Sequence, residues 1–326
     1  MTRKKPIAGI SLDLDNQWSY MKIHGDEGWD KYPSYFEIFI PHILKVLDDL
    51  NLKITFFIVG KDTEKEENRK YLKMITDKGH EVGNHSYHHE SWLQTYSFEK
   101  IEKEIINAEN AIFDVTGKRP TGFRGPGFSW SVDLLKVLQS RGYLYDASTL
   151  PTYLGPLARA YYFAKSDLSK EEKKSRKELF GKFSEGFRTL KPYKWDLGNG
   201  KTIVELPVTT MPILKFPFHL SYLIYLSNIS MGLMRFYLWL ALKMCKITST
   251  PISFLLHPLD LVGGDQITQL AFFPGMNVDS TRKVKVFKMV IETIQKSYEL
   301  QNMSVYYQSL ISNPRIKIPV VQVGAK

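Results

Sequence analysis

The chain has 326 residues, 43% hydrophobic and 24% charged, which excludes a disordered or collagen-like polymer and suffices for one large globular unit. Forty-four Lys and Arg against 34 Asp and Glu leave a formal charge of +10, which favours anionic partners (phosphates, nucleic acid or acidic lipid headgroups) without choosing among them. The single cysteine, Cys245, excludes an internal disulfide and a thiolate zinc cluster and fits a reducing compartment.

The sequence passes from Met1-Thr-Arg-Lys-Lys-Pro6 straight into Ile7-Ala-Gly-Ile-Ser-Leu-Asp13, with no apolar leader of about 7–15 residues ahead of a cleavage site. The expected location is therefore the cytoplasm. Segments rich in β-branched and aromatic residues alternate with segments of helical period, the pattern of parallel strands joined by crossover helices. Strands are expected at 7–12, 53–59, 121–124, 143–145, 202–208, 252–256 and 303–307, and seven strands suit a barrel. Pro41 is placed to open a helix carrying Ile43, Leu44 and Leu47. Ile101, Ile105, Ala108, Ile112 and Val115 recur at spacings of four, three, four and three, one face of a helix that Ser97 caps and Gly117 ends.

Two segments break the alternation. Residues 152 to about 200 read as an insertion, with a solvated helix in the Lys- and Glu-rich run 165–182. That run alternates in sign, so it forms no continuous basic stripe, and with no recognition motif present nucleic acid is not an expected partner. The segment at about 216–247 is apolar and aromatic. A transmembrane span is rejected, because Asn228 and Arg235 would sit at its centre and His257 would lie across the membrane from His85. Two readings remain: a helix pair packed on the barrel with its break near Gly232, or an amphipathic surface in the membrane interface, where Phe236, Tyr237 and Trp239 lie beside Arg235 and Lys243. Packing is favoured, and a peripheral position at the inner face of the membrane is the variant the second reading allows.

Five short motifs carry polar chemistry, four of them at expected strand ends, where α/β barrels place reactive groups. Ser11-Leu-Asp13-Leu-Asp15 puts two carboxylates on one side of a strand end, where their repulsion calls for a compensating cation. His85-Ser-Tyr-His88-His89 offers two histidines four apart, within reach of one ion if they lie on a helical turn. Phe123-Arg124-Gly-Pro126-Gly127-Phe-Ser-Trp130 places an arginine before glycines that let the backbone approach a ligand. Tyr145-Asp146-Ala-Ser148 and Leu255-Leu-His257-Pro-Leu-Asp260 complete the set. Each alone is more often structural than functional. His24, His42 and His219 fall outside any motif and read as surface or packing residues; His88 is one position off the His85–His89 face.

In this order the motifs resemble those of the polysaccharide deacetylase, or NodB-homology, family of carbohydrate esterases, from about Ile7 to Pro258. The resemblance implies an α/β fold, a distorted (β/α)7-type barrel with an inserted helical segment, as one catalytic domain over 1–326. It implies Asp15, His85 and His89 as ligands of a divalent metal, zinc by preference, with cobalt, nickel or iron suited to the same donors. Asp13 resembles the family's general base, Arg124 the residue orienting it, His257 the general acid, and Asp146 the carboxylate that keeps that histidine protonated. Pro126, Gly127 and Trp130 would face the substrate, with a backbone N–H near Gly127 serving the oxyanion. Many relatives have two adjacent aspartates where this chain has Leu14 between Asp13 and Asp15.

The implied activity is hydrolysis of an N-acyl group, N-acetyl above all, from an amino sugar of a saccharide or lipid-linked saccharide intermediate. Alternatives within the fold are a deformylase, a metal-independent cyclic-amide hydrolase and a non-catalytic carbohydrate-binding protein. The complete set Asp13, Asp15, His85, His89 and His257 argues against the last two.

Overall fold

The computed structural model describes residues 5–155 and 183–323, so the helix expected at 165–182 lies outside the described residues. In chain order the elements are β1 (Ile7–Leu14), α1 (Gln17–His24), α2 (Phe36–Asp49), β2 (Thr55–Ile58), α3 (Glu66–Asp77), β3 (Glu81–Asn84), α4 (Phe98–Thr116), β4 (Gly122–Phe123) and α5 (Val132–Ser140). They continue with β5 (Tyr145–Asp146), β6 (Tyr193–Asp196), β7 (Thr202–Glu205), α6 (Leu220–Ile229), α7 (Met231–Thr248), β8 (Ser253–Leu256), α8 (Ser280–Gln295), β9 (Glu299–Gln301), α9 (Met303–Ile311) and β10 (Val320–Gln322).

The strands form one sheet in the order β10-β6-β7-β5-β4-β3-β2-β1-β8, with β9 also pairing β1. β6 and β7 pair antiparallel; the other pairs are parallel. β1 is buried along its length except at Ile7, as a strand covered on both faces should be, which explains its near-continuous apolar run. Its neighbours bring distant segments to one edge: Asp13 is in register with Phe57, and Leu12 with Leu256. The expected (β/α)7-type barrel appears as a mostly parallel α/β sheet whose ladder does not close. Between β7 and β8 the link is Thr209, whose N–H donates to the Ser253 carbonyl (3.0 Å) and whose hydroxyl accepts from the Ser253 N–H (2.8 Å).

Several expectations need correction. Residues 303–307 form the start of α9, with Met303, Tyr306 and Leu310 buried at helical spacing and Asn302 capping by accepting the Val305 N–H; the strand, β9, ends just before. β3, β6 and β10 were not expected from sequence. β3 is Glu-Val-Gly-Asn, poor in strand formers, and exists because β2 and β4 pair with it. Its Gly83 is needed there, since an added Cβ would sit 2.5 Å from the Phe57 ring. Pro41 lies inside α2, which begins at Phe36.

α4 matches expectation: Ile101, Ile105, Ala108, Ile112 and Val115 are buried, the Ser97 hydroxyl accepts the Lys100 N–H, and Gly117 takes the left-handed conformation (φ 67°). The apolar segment is a helix pair, α6 and α7, broken at Ser230, near Gly232 as expected. Ser230 caps α7 by accepting the Leu233 N–H. Leu223, Leu226, Met234, Leu238, Ala241 and Cys245 join the core cluster around β1 and β8, as the packing reading expected. Among the described residues no helix is long and apolar enough to cross a membrane.

Candidate active site

β1 delivers Asp13 and, one step past its end, Asp15. The chain turns there because Asn16 caps α1, its side-chain oxygen accepting the Gln17 N–H at 2.8 Å. The Asn16 amide also donates to Asp62 Oδ1 (2.7 Å), which accepts the Trp18 indole N–H at the same distance. Burial pushes the Asp62 carboxyl up to about 7. The Tyr35 hydroxyl donates to the Asp15 carbonyl, fixing the backbone from the other side.

His85 follows β3. Its Nδ1–H donates to the Arg124 carbonyl at 2.6 Å, which leaves Nε2 free to ligate. The segment to His89 is a tight turn, not the helical turn that a spacing of four suggested: Ser86 and His89 have φ of 63° and 54°. Asn84 accepts the Ser86 N–H (2.8 Å), and Glu104 on α4 accepts the N–H groups of Tyr87 and His88 and pairs with the His88 ring. His88 thus points to Glu104 and away from His89. Glu104 went unnoticed in the sequence; its signal is an acid set on the apolar stripe of α4.

Asp15 Oδ1 lies 2.9 Å from His89 Nε2 and 3.5 Å from His85 Nε2. Despite these distances the buried Oδ1 has no aligned hydrogen-bond partner. The three ligand atoms all lie within 4.8 Å of one another, which fits a divalent cation bound by two imidazoles and a carboxylate. Burial would raise the Asp15 carboxyl, but the His89 and His85 imidazoles overcome it and hold the group well below the usual carboxylate range.

Arg124, fully buried after β4, donates from Nη1 to Asp13 Oδ1 (2.7 Å) and the Ser11 hydroxyl (2.9 Å) and from Nε to the Ala147 carbonyl (3.0 Å). Its guanidinium lies 4.5 Å over the Phe57 ring. Asp13 is thereby fixed by a buried charge-assisted bond.

His257 follows β8. Its Nε2 lies 4.0 Å from Asp13 Oδ2, and its Nδ1 is 3.2 Å from the Ser221 hydroxyl and 3.9 Å from Asp260 Oδ2. Among the described residues, Asp13 and Asp260 are the carboxylates within 4.0 Å of this ring. Asp260 also accepts the His257 N–H at 2.8 Å, closing a capping box. Asp146, which the resemblance paired with His257, instead accepts from the Ser148 hydroxyl (2.5 Å), and that hydroxyl accepts the Gly125 N–H (2.8 Å). Asp146 therefore braces the loop after Arg124. It stands in register beside Glu205, and burial raises both carboxyls, Asp146 to about 6. His219, read from sequence as a packing residue, sits with its ring 6.1 Å from that of His257, and burial pushes it down to about 3.

A cavity of about 610 Å³ collects Asp13, Asp15, His85, His89, His257 and Gly127. Gly127 has φ 60°, and a Cβ there would meet the Ser91 side chain at 3.1 Å. Pro126 and Trp130, expected to face substrate, do not line it. Trp130 stacks on Trp195 (4.7 Å between centroids) because β6 brings that indole against it, and Arg188 covers it at 4.4 Å.

The polysaccharide deacetylase family model matches residues 26–145, a stretch holding His85, His89 and Arg124 but not Asp13, Asp15 or His257. The chain is 33% identical over 186 residues to a Helicobacter pylori peptidoglycan deacetylase, covering 54% of this chain and 61% of that one. It is 28% identical over 139 residues to a Bacillus cereus peptidoglycan-N-acetylglucosamine deacetylase, covering 43% and 61%. It thus spans less than two thirds of either relative. A solved Mycobacterium smegmatis protein assigned to the polysaccharide deacetylases superposes over 100% of both chains with a TM-score of 0.57 at 17% identity, a likeness of fold. The chain is thus similar to the polysaccharide deacetylase family over residues 26–145, and its likeness to the solved structure is one of fold.

Proposed function

We propose that the chain is a metal-dependent hydrolase that removes an N-acyl group, N-acetyl by preference, from an amino sugar of a saccharide or lipid-linked saccharide. The observation that carries this reading is the meeting of Asp15, His85 and His89 with Asp13 and His257 in one cavity. The peptidoglycan deacetylases among its relatives support the class of substrate.

A divalent ion on Asp15, His85 and His89, zinc being the first choice, would supply Lewis acidity toward the acyl carbonyl and the attacking water. Asp13, held in place by the Arg124 guanidinium, takes the proton from that water as its oxygen bonds to the acyl carbon. His257 gives a proton to the nitrogen as the C–N bond breaks, so the products are a carboxylic acid and a free amine. The 4.0 Å between Asp13 Oδ2 and His257 Nε2 lets base and acid serve groups on the same carbon. Asp260 holds the His257 backbone N–H and lies beside its ring, and Ser221 sets the ring's orientation. Asp146 acts through Ser148 on the Arg124 loop. The Gly127 edge of the cavity is where the developing oxyanion would find a backbone donor.

The test is acyl release from N-acetyl and N-formyl amino sugars, free and lipid-linked, before and after chelation and metal add-back. Chelator-sensitive release that Asp13→Asn loses supports the reading; release unaffected by complete metal removal contradicts it.

A further inference from the structure

The outer face of the α6–α7 pair leaves large apolar side chains exposed. Phe236 and Trp239 are 59% and 53% exposed and stack on each other, and Tyr225, Ile229 and Ile247 are 61%, 61% and 78% exposed. A second aromatic row lies beside them on the pair: Tyr225 stacks on Tyr222, Tyr222 meets Tyr237 edge-on, and the Tyr237 hydroxyl donates to the Pro217 carbonyl. That bond ties the pair to a loop in which Ile213 is 74% exposed with φ 70°, a conformation a β-branched residue rarely adopts.

The charge on this surface has one sign. No Asp or Glu occurs anywhere in 206–259, and Arg235, Lys243 and Lys246 are exposed on α7 among the aromatic residues. A two-fold contact with a second copy would bring these cations together. An anionic lipid surface takes both components, apolar side chains at the acyl boundary and cations at the headgroups.

The other helix of the pair, α6, lines the catalytic cavity. Ile224, Tyr225 and Asn228 line it, and Tyr225 belongs to the exposed row as well. Ile23, Phe128, Leu259 and Phe273 add apolar lining to the same cavity. A water-borne glycan alone gives no reason for such a lining at the edge of an exposed aromatic face.

We propose that the α6–α7 pair docks peripherally on an anionic membrane and opens the catalytic cavity toward the bilayer, so that the substrate is an N-acyl amino sugar carried on a lipid. The docking half is independent of the hydrolase reading; the substrate half rests on it.

Two measurements separate them. Cosedimentation of the full chain, without metal or sugar, uses phosphatidylcholine vesicles with and without phosphatidylglycerol. The expected result is binding that needs phosphatidylglycerol, weakens with salt, and falls roughly tenfold or more in Phe236→Ser/Trp239→Ser and in Arg235→Gln/Lys243→Gln. Acyl release is then compared between a soluble N-acetyl amino sugar and the same sugar on a vesicle-embedded lipid. The Phe236→Ser/Trp239→Ser protein should keep its rate on the first and lose it on the second. Absence of vesicle binding at low salt, binding indifferent to both variants, or a dimer dissolved by these substitutions would overturn the docking. Docking without release of any acyl group would uphold it and contradict the hydrolase reading.

Discussion

The ligand turns around Asp15 and the helix pair α6–α7 stand at the same cavity and are built in opposite ways. On the side of the candidate ligands, buried hydrogen bonds hold most of the site: the Arg124 carbonyl on His85, Arg124 on Asp13, Tyr35 and Asn16 on the Asp15 segment, Glu104 on the turn between the histidines. On the helix side one face packs into the core while the other leaves large aromatic residues in the open. A rigid, polar site needs few residue types at fixed places. A surface for a deformable partner needs only apolar area and charge.

The largest expected effect is on the ligand set. His89→Ala should lose stoichiometric metal, measured by elemental analysis after dialysis, and lower acyl release by more than the ~10²–10⁴-fold expected for a lost acid or base. Asp13→Asn falls within that range while the metal stays bound, a pairing of results that separates base from ligand. Next comes the contrast between the two faces of α7. Leu238→Ala, deep in the core, should cost about 2–5 kcal/mol in denaturant unfolding, whereas Trp239→Ser should stay within roughly 0.5 kcal/mol.

Smaller effects test the carboxylates. Asp260→Ala removes the carboxylate that accepts the His257 N–H at 2.8 Å and lies 3.9 Å from its Nδ1, so acyl release should fall several-fold with the metal retained. Asp146→Asn should leave acyl release closer to the parent's; a fall as large as that of Asp260→Ala would restore Asp146 as the histidine's partner. Asp146→Asn should instead change stability. Its folded pKa is raised, to about 6, so its contribution is complete below the unfolded carboxylate range near pH 4 and is lost as pH rises through 6. Asparagine should flatten the decline in unfolding free energy across that window.

How much of this was readable from the sequence follows from how local each feature is. Asp13, Asp15, His85, His89 and His257 stand in short motifs at strand ends, and the structure brings all five to one cavity. The α4 stripe and its caps are equally local. What escaped depends on contacts between distant segments. β3 forms on its neighbours' terms, Trp130 is claimed by a strand more than sixty residues later, and Asp146 lies in register with Glu205, not beside His257. The slip at residues 303–307 has another cause: Met-Ser-Val-Tyr-Tyr alternates well enough for a strand, and only the burial of Tyr306 and Leu310 reveals the helix.

The most direct test of the central claim is metal binding by the purified chain beside His85→Ala, His89→Ala and Asp15→Asn, each assayed for release of acetate from an N-acetyl amino sugar. The account predicts one divalent ion per chain in the parent and loss of both ion and acetate release in all three variants. An ion retained by all three, or acetate released at the parent's rate without it, would contradict it.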